Sequence, residues 1–327
     1  MDEVSLGIRV REVAFQGIED LEGLMKNGDL SVVQLRSGVP RGRFMYAQAD
    51  GFDFLAAHYE ADLRTRGVYT PRVGLAVRTS RRGQVTSRGR ASLPGNVSLL
   101  PGGSEQDSVV VGQIAYAVLS LDVSTLVALG GGDAWEGDTG IWERPHEFRA
   151  PAHVRDRTCR SIEGFLRVLE GPEGEMSGRR LESFQKDLVE CFLSRIALDQ
   201  NEPERRRHHS AKLVRAVEDW VAAKAPEPVR ISDVCGQFGL SRRSLEWAFH
   251  ETLDMGPVQY LMARRLSAAR LMLAKADPQT VNVTDVAIDQ GFWELGRFAV
   301  RYRQMFGERP SETLRRSCAT PSPTGPA

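Results

Sequence analysis

Cysteine is scarce in this chain. The four residues, Cys159, Cys191, Cys235 and Cys318, include no C-x-x-C pair. That spacing argues against a zinc ribbon or a dithiol redox site, and reduced thiols in a cytoplasmic protein are expected. Histidine is equally thin where it would matter. A metal enzyme on a β-rich scaffold needs two or three His and a carboxylate converging on one point. The first half supplies only His58 and His146 before its helical region, with no His-x-His pair. Gly130-Gly131-Gly132 lacks the Lys-Ser or Lys-Thr of a phosphate loop and reads as a turn. With no Ser/His/Asp or Cys/His arrangement either, a non-enzyme without metal or cofactor is expected. No apolar run approaches the roughly 18 residues that span a bilayer. Met1-Asp2-Glu3-Val4 has neither the basic nor the apolar region of a signal peptide. No membrane partner is expected.

Net charge is also absent, but only until the chain is divided. From Pro203 onward there are 19 Lys/Arg against 14 Asp/Glu, a net of +5, and the remainder carries −5. A basic half beside an acidic half fits a polyanion-binding domain joined to one that avoids the polyanion.

What is present begins with short alternating segments over residues 1–151. Leu30–Leu35, Arg43–Ala47, Phe54–Tyr59, Val73–Arg78 and Ile114–Leu121 read as strands, punctuated at Gly38-Val39-Pro40, Ser80–Gly83, Pro94-Gly95-Asn96 and Pro101-Gly102-Gly103. Together they predict an antiparallel barrel or sandwich, cupin-like in the turn-strand-turn Leu93–Pro101. Such a barrel either encloses a small-molecule effector or packs on a partner, and Trp135 and Trp142 either line a pocket or fill a core. Residues 152–202 predict a helical hairpin. Ile162, Phe165, Leu166 and Leu169 form one stripe, Gly171-Pro172-Glu173-Gly174 breaks it, and Leu181, Phe184, Leu188, Phe192 and Ile196 continue a second. Each stripe suits burial on the barrel or a homodimer interface. The charged, Pro-containing residues 203–210 read as a linker.

Residues 211–317 predict an all-α domain with two helix-turn-helix units, at 231–253 and 283–306, and residues 318–327 a disordered tail. Asp233–Leu245 and Asp285–Phe298 carry the same grammar: a small residue (Cys235, Ala287), a glycine four positions on (Gly239, Gly291), and an apolar anchor (Leu245, Phe298). The small residue lets two helices cross closely, and the glycine takes the bend without a Cβ penalty. Ser232, Ser241 and Ser311 are expected to cap helices. A helix of about 17 residues, Val258–Ala274, spans on the order of 25 Å between the units. The two second helices then fit adjacent major-groove segments, about 34 Å apart. Position assigns base contacts to Arg243, Glu246 and Trp247 in the first unit and to Gly296, Arg297 and Val300 in the second. Arg243 suits a guanine, Glu246 a cytosine amino group, and Trp247 either a thymine methyl or packing on the connecting helix. Ser241, Arg242, Arg301 and Arg303 suit phosphates, which position without specifying.

These residues resemble the AraC/XylS family of bacterial transcription regulators over roughly Lys212–Arg315. The match lies in Asp285-Val286-Ala287, Gly291-Phe292, Arg297-Phe298, Tyr302-Arg303 and Phe306-Gly307-Glu308-Arg309-Pro310-Ser311. A second block, Leu240–Leu245 with Ala248-Phe249, Gly256-Pro257, Tyr260-Leu261, Arg264-Arg265-Leu266 and Ala269-Arg270, is similar to the first half of the family signature. Trp293 after Phe292 is similar to the ethanolamine-operon-regulator branch. The resemblance implies a seven-helix DNA domain on double-stranded promoter DNA in the bacterial cytoplasm, at the nucleoid. It also implies activation through RNA polymerase and an N-terminal domain for sensing or dimerising. Cys235 stands where the family usually has Ala, and Gly296 where other members often carry a polar base reader.

Overall fold

The computed structural model describes residues 9–24, 30–49, 52–68, 72–125, 145–148, 151–169, 205–224 and 229–317, with isolated positions 183, 186, 187 and 192. Twelve strands lie among them: β1 Arg9–Gln16, β2 Leu30–Gln34, β3 Arg41–Ala49, β4 Phe52–Glu60, β5 Leu63–Val68, β6 Val73–Arg78, β7 Gln84–Ser87, β8 Arg90–Ala91, β9 Val97–Leu100, β10 Glu105–Val111, β11 Gln113–Leu121 and β12 His146–Phe148. They pair antiparallel into two sheets, ordered β1-β3-β4-β11-β6-β9-β12 and β2-β5-β10-β7-β8. The expected β-rich domain is therefore two facing sheets rather than one closed cylinder. All five sequence-predicted strands are present. β1 was hidden by its charges, because as an edge strand it exposes Arg9, Arg11 and Glu12.

The outer face of the larger sheet is apolar. Leu75, Val77, Val97, Leu99, Ala117 and Leu119 bury there under helix α2, Ala152–Leu169, whose Ile162, Phe165, Leu166 and Leu169 form the predicted stripe. Phe192, the described position of the second predicted stripe, is buried in the same core. The other residues of that stripe, Leu181, Phe184, Leu188 and Ile196, lie outside the described residues, as do Gly130–Gly132, Trp135, Trp142 and the tail 318–327.

The C-terminal region is helical: α3 Arg205–Lys224, α4 Ile231–Phe238, α5 Arg242–Leu253, α6 Pro257–Lys275, α7 Val283–Asp289, α8 Leu295–Phe306 and α9 Pro310–Arg316. A short helix α1, Ile18–Leu24, belongs to the N-terminal region and packs on β2 and α6. Three local expectations need correction. The presumed linker is helical from Arg205, because the arginines are good helix formers and the same helix buries Ser210, Ala211, Val214 and Val217 further along. Ser232 lies inside α4. The cap position is Arg230, whose N–H donates to the Asp233 carboxylate at 3.0 Å. Ser311 likewise lies inside α9, where Pro310 takes the first turn and Arg309 N–H donates to Glu312 at 2.6 Å. In both cases a carboxylate three residues on satisfies the cap backbone in place of a serine hydroxyl.

One apolar core runs without a break from Phe15, Val33, Phe44 and Val110 into Val217, Tyr260, Leu266, Phe298 and Leu314. The β-rich and helical regions therefore share buried surface. Among the described residues no helix is long and apolar enough to cross a membrane.

Candidate nucleic-acid interface

Each predicted bend is made by its glycine. Gly239 closes α4 at φ 61, and Gly291 follows α7 at φ 74, both in the left-handed region where a Cβ is penalised. After the first bend, Ser241 caps α5, its Oγ accepting from Ser244 N–H at 3.1 Å. Leu245, Ala248, Phe249 and Leu253 turn inward. After the second bend, α8 buries Phe298, Tyr302, Met305 and Phe306. Asn282 caps α7 by accepting from Asp285 N–H at 2.8 Å. The anchors are aromatic in series: Phe292 lies 4.8 Å from Phe298, Phe298 5.6 Å from Tyr302, and Tyr302 4.7 Å from Phe306, centroid to centroid. α6, at 19 residues, is about 28 Å long.

Burying these faces leaves the opposite ones to solvent. On α5, Arg242, Arg243 and Trp247 are exposed and Glu246 is half-buried. Trp247 is 58% exposed. On α8, Gly296, Arg297, Val300, Arg301 and Arg303 are all exposed. A Cβ at Gly296 would meet nothing within 4 Å. Arg242 approaches Glu246 at 3.6 Å, and Arg297 pairs with Glu294 at 3.0 Å. Both pairs are well exposed, so detaching the arginines costs on the order of 0–1 kcal/mol. Arg301 reaches back to the Met262 sulfur at 3.4 Å. Sequence reasoning passed over Trp293 as a contact. At 70% exposed, beside Leu295 at the start of α8, it is the most open large apolar side chain among the described residues.

Residues 234–316 match the family described as a helix-turn-helix domain. XylDLEGF operon transcriptional activator 3 of Pseudomonas putida is 42% identical over 179 residues, 54% of this chain and 53% of that protein. The "Probable thc operon regulatory protein" of Rhodococcus erythropolis is 33% identical over 159 residues, 47% of each. A solved structure described as "a probable AraC family transcriptional regulator" from Rhodopseudomonas palustris is 37% identical, the match covering 97% of that chain and 32% of this one, with a TM-score of 0.30. The chain belongs to the AraC/XylS family. It spans about half the length of these two curated relatives.

Within this AraC/XylS chain a cavity of about 500 Å³ lies between the two sheets. Strand alternation decides its wall. Tyr116, Val118 and Ser120 of β11 face it, as do Ala76 and Arg78 of β6, their register neighbours. Thr65 of β5 and Gln106 and Ser108 of β10 face it from the other sheet. The intervening residues of β5 and β10 point away from it and hold α3. Arg64 reaches Glu218 at 2.6 Å and Asp107 at 3.2 Å, and Arg66 reaches Asp219 at 2.6 Å. Arg215 reaches Glu105 at 2.8 Å and Asp107 at 3.0 Å. Tyr260 of α6 donates to Glu218 as well.

The end of β2 adds a second attachment. Gln34 N–H donates to Ser267 Oγ of α6 at 3.0 Å, and its Nε2 donates to the Met305 carbonyl of α8 at 3.2 Å. Gly38 N–H donates to the same carbonyl at 3.1 Å. Arg36 pairs at 2.5 Å with Asp254, the residue that closes α5 in the left-handed region. The segment Gln34–Gly38 thus touches the C-terminal ends of α5 and α8 and the helix α6 between them.

Proposed function

We propose that the protein is a sequence-specific DNA-binding transcription regulator, an activator at promoters. In this reading α5 and α8 enter adjacent major grooves from one protomer. The observation that carries it is the paired geometry: two helices with buried aromatic or aliphatic faces and basic exposed faces, joined by one rigid helix of 19 residues. Arg243, Glu246 and Trp247, with Gly296, Arg297 and Val300, take the base edges. Ser241, Arg242, Arg301 and Arg303 take the phosphates. The β-rich region acts as the sensor, with the cavity as its ligand site and the contacts at Gln34–Gly38 and Glu218 as its hold on the DNA domain. RNA polymerase and a second copy of the chain are the protein partners this role requires.

The test is selection of bound duplexes from a random pool with the full-length protein, followed by footprinting. The expected outcome is one sequence element protected on one face over two successive major-groove turns per protomer. Protection of a single turn, or no enrichment over the starting pool, overturns the reading.

A further inference from the structure

The connecting helix α6 carries three arginines, Arg264, Arg265 and Arg270. Two of them are engaged. Arg264 donates to the Glu218 carbonyl at 3.3 Å, and Arg270 pairs with Glu19 at 2.8 Å and with Glu308 at 2.9 Å. Among the described residues Arg265 has no carboxylate or carbonyl partner. Its guanidinium lies over the Phe292 ring, 5.8 Å from the centroid. Its Nη1 is 3.5 Å from where a Cβ on Gly291 would stand. The half-buried charge therefore sits at the bend between α7 and α8.

Arg301 of α8 is close by. It is exposed, and it donates at 3.4 Å to the sulfur of Met262, three residues before Arg265 on α6. Burial and the charge of Arg301 together draw the Arg265 pKa below its ordinary value. Both groups stay charged, because arginine does not lose its proton in proteins. Two like charges thus stand together with an aromatic face and a thioether as their partners. Both partners are neutral, and a thioether is a weak acceptor, so neither offsets the repulsion as an anion would. Arg301 lies one turn on from Arg297, and its contact with Met262 shows that α6 flanks α8 on that side. A helix in the major groove has a phosphate strand along each side, so a cation on the flanking helix meets backbone and not bases.

We propose that Arg265 is a further DNA-binding residue: it takes one backbone phosphate beside the groove of α8, next to the phosphate of Arg301, and so brings the connecting helix itself into the interface. This rests on the reading of α5 and α8 as groove helices and adds a contact outside both of them. As a phosphate contact it sets affinity and the register of α8 without reading a base. Leaving the Phe292 ring costs little, since a partly exposed cation–π contact is weak beside a charge-assisted bond to phosphate.

The experiment uses full-length protein, the duplex obtained by selection and a scrambled duplex of the same length, at several salt concentrations. Arg265→Met removes the charge and keeps a side chain that packs on Phe292, whereas Arg265→Lys keeps a charge. Arg265→Met is expected to weaken both duplexes alike, roughly tenfold at moderate salt, and to reduce the salt slope by about 1. Arg265→Lys should keep the slope and most of the affinity, because lysine also binds phosphate as a point charge. Duplexes with a single neutral methylphosphonate linkage, moved along the second protected turn, then locate the phosphate. One linkage should weaken wild-type binding and leave Arg265→Met binding unmoved. An unchanged slope, or no linkage that distinguishes the two proteins, overturns the proposal. So does a loss confined to the selected duplex, which would mean that Arg265 holds the bend and acts through α8. Should Arg265→Met not fold, Arg265→Gln takes its place, and if neither folds the residue is structural and the proposal falls. Wild-type protein that selects no duplex overturns the regulator reading itself. Wild-type protein that selects one, while Arg265→Met matches it, loses only this contact.

Discussion

Arg243 and Arg301 are both exposed arginines, on α5 and α8, yet they differ in position. Arg243 is in the first turn of α5, the part that the proposed docking aims at base edges, whereas Arg301 is midway along α8. Arg243→Ala should weaken the selected duplex by about 1–3 kcal/mol and relax the preference at one base pair. Arg301→Ala should weaken all duplexes alike and reduce the salt slope by about 1. Anisotropy titrations on matched and mismatched duplexes at several salt concentrations separate the two outcomes. Identical behaviour of the two variants would remove the assigned roles. Gly296 offers a third residue-scale check. It lies within a helix with open space beyond its Cα, so Gly296→Ala should stabilise the protein by about 0.5–1 kcal/mol in chemical denaturation. A loss of stability would mean that position needs glycine for a reason the packing does not contain. These residues were legible in the sequence because helix position alone decides which side chains face outward once the anchors are known. Trp293 was not, since nothing in its neighbours says whether an aromatic at a helix start is buried.

Elements were read most securely where two local rules agreed. Both helix-turn-helix units combined an apolar period with a glycine at the bend, and both appear with the expected limits. Caps were read less well, because several polar residues near a helix start compete for the role and only the backbone geometry chooses. Ser241 was chosen correctly, and its hydroxyl holds the first turn of α5. Ser241→Ala should cost about 1 kcal/mol of stability, within the usual 0.5–2 for a lost cap, and calorimetric unfolding would show it. Ser232→Ala, at a site the structure places inside α4, should cost much less. The strands β5 and β10 were missed for a different reason. Their alternate residues are Arg64, Arg66, Glu105 and Asp107, which read as solvated charges, but those charges meet α3, some 150 residues away for Arg64 and Glu218.

At the scale of the whole molecule, the same charges join the two regions. Arg64 is 1% exposed at its side chain and Glu218 6%. Glu218→Ala leaves a buried guanidinium short of its nearest carboxylate, so unfolding should show a loss of about 3–5 kcal/mol. A second cluster joins α1 to the last helix: Glu19 and Glu308 each pair with both Arg270 and Arg316. Burial pushes the Glu308 carboxyl up, but hydrogen bonds from Arg316 and Thr313 and the charge of Arg270 outweigh it, and its pKa ends below the ordinary 4.5. A depressed carboxyl stabilises the fold above its unfolded pKa and loses that contribution as pH falls through the folded one. Stability should therefore decline below about pH 4.5, and Glu308→Gln should flatten that part of the profile in denaturant titrations. An unchanged slope would show that the cluster does not couple to folding.

The sequence by itself determined the helix-turn-helix units, their family, and the β-rich character of the first half with five of its strands. Those depend on short-range rules: periodicity, a bend glycine, a small residue at a crossing. Tertiary structure alone decided where the strand charges go, that Gln34–Gly38 bridges α5, α6 and α8, and that Arg78 is buried with backbone carbonyls as its hydrogen-bond acceptors. Each of those depends on groups far apart in the chain being brought within hydrogen-bond distance, and no local pattern records which distant partner a charge will meet.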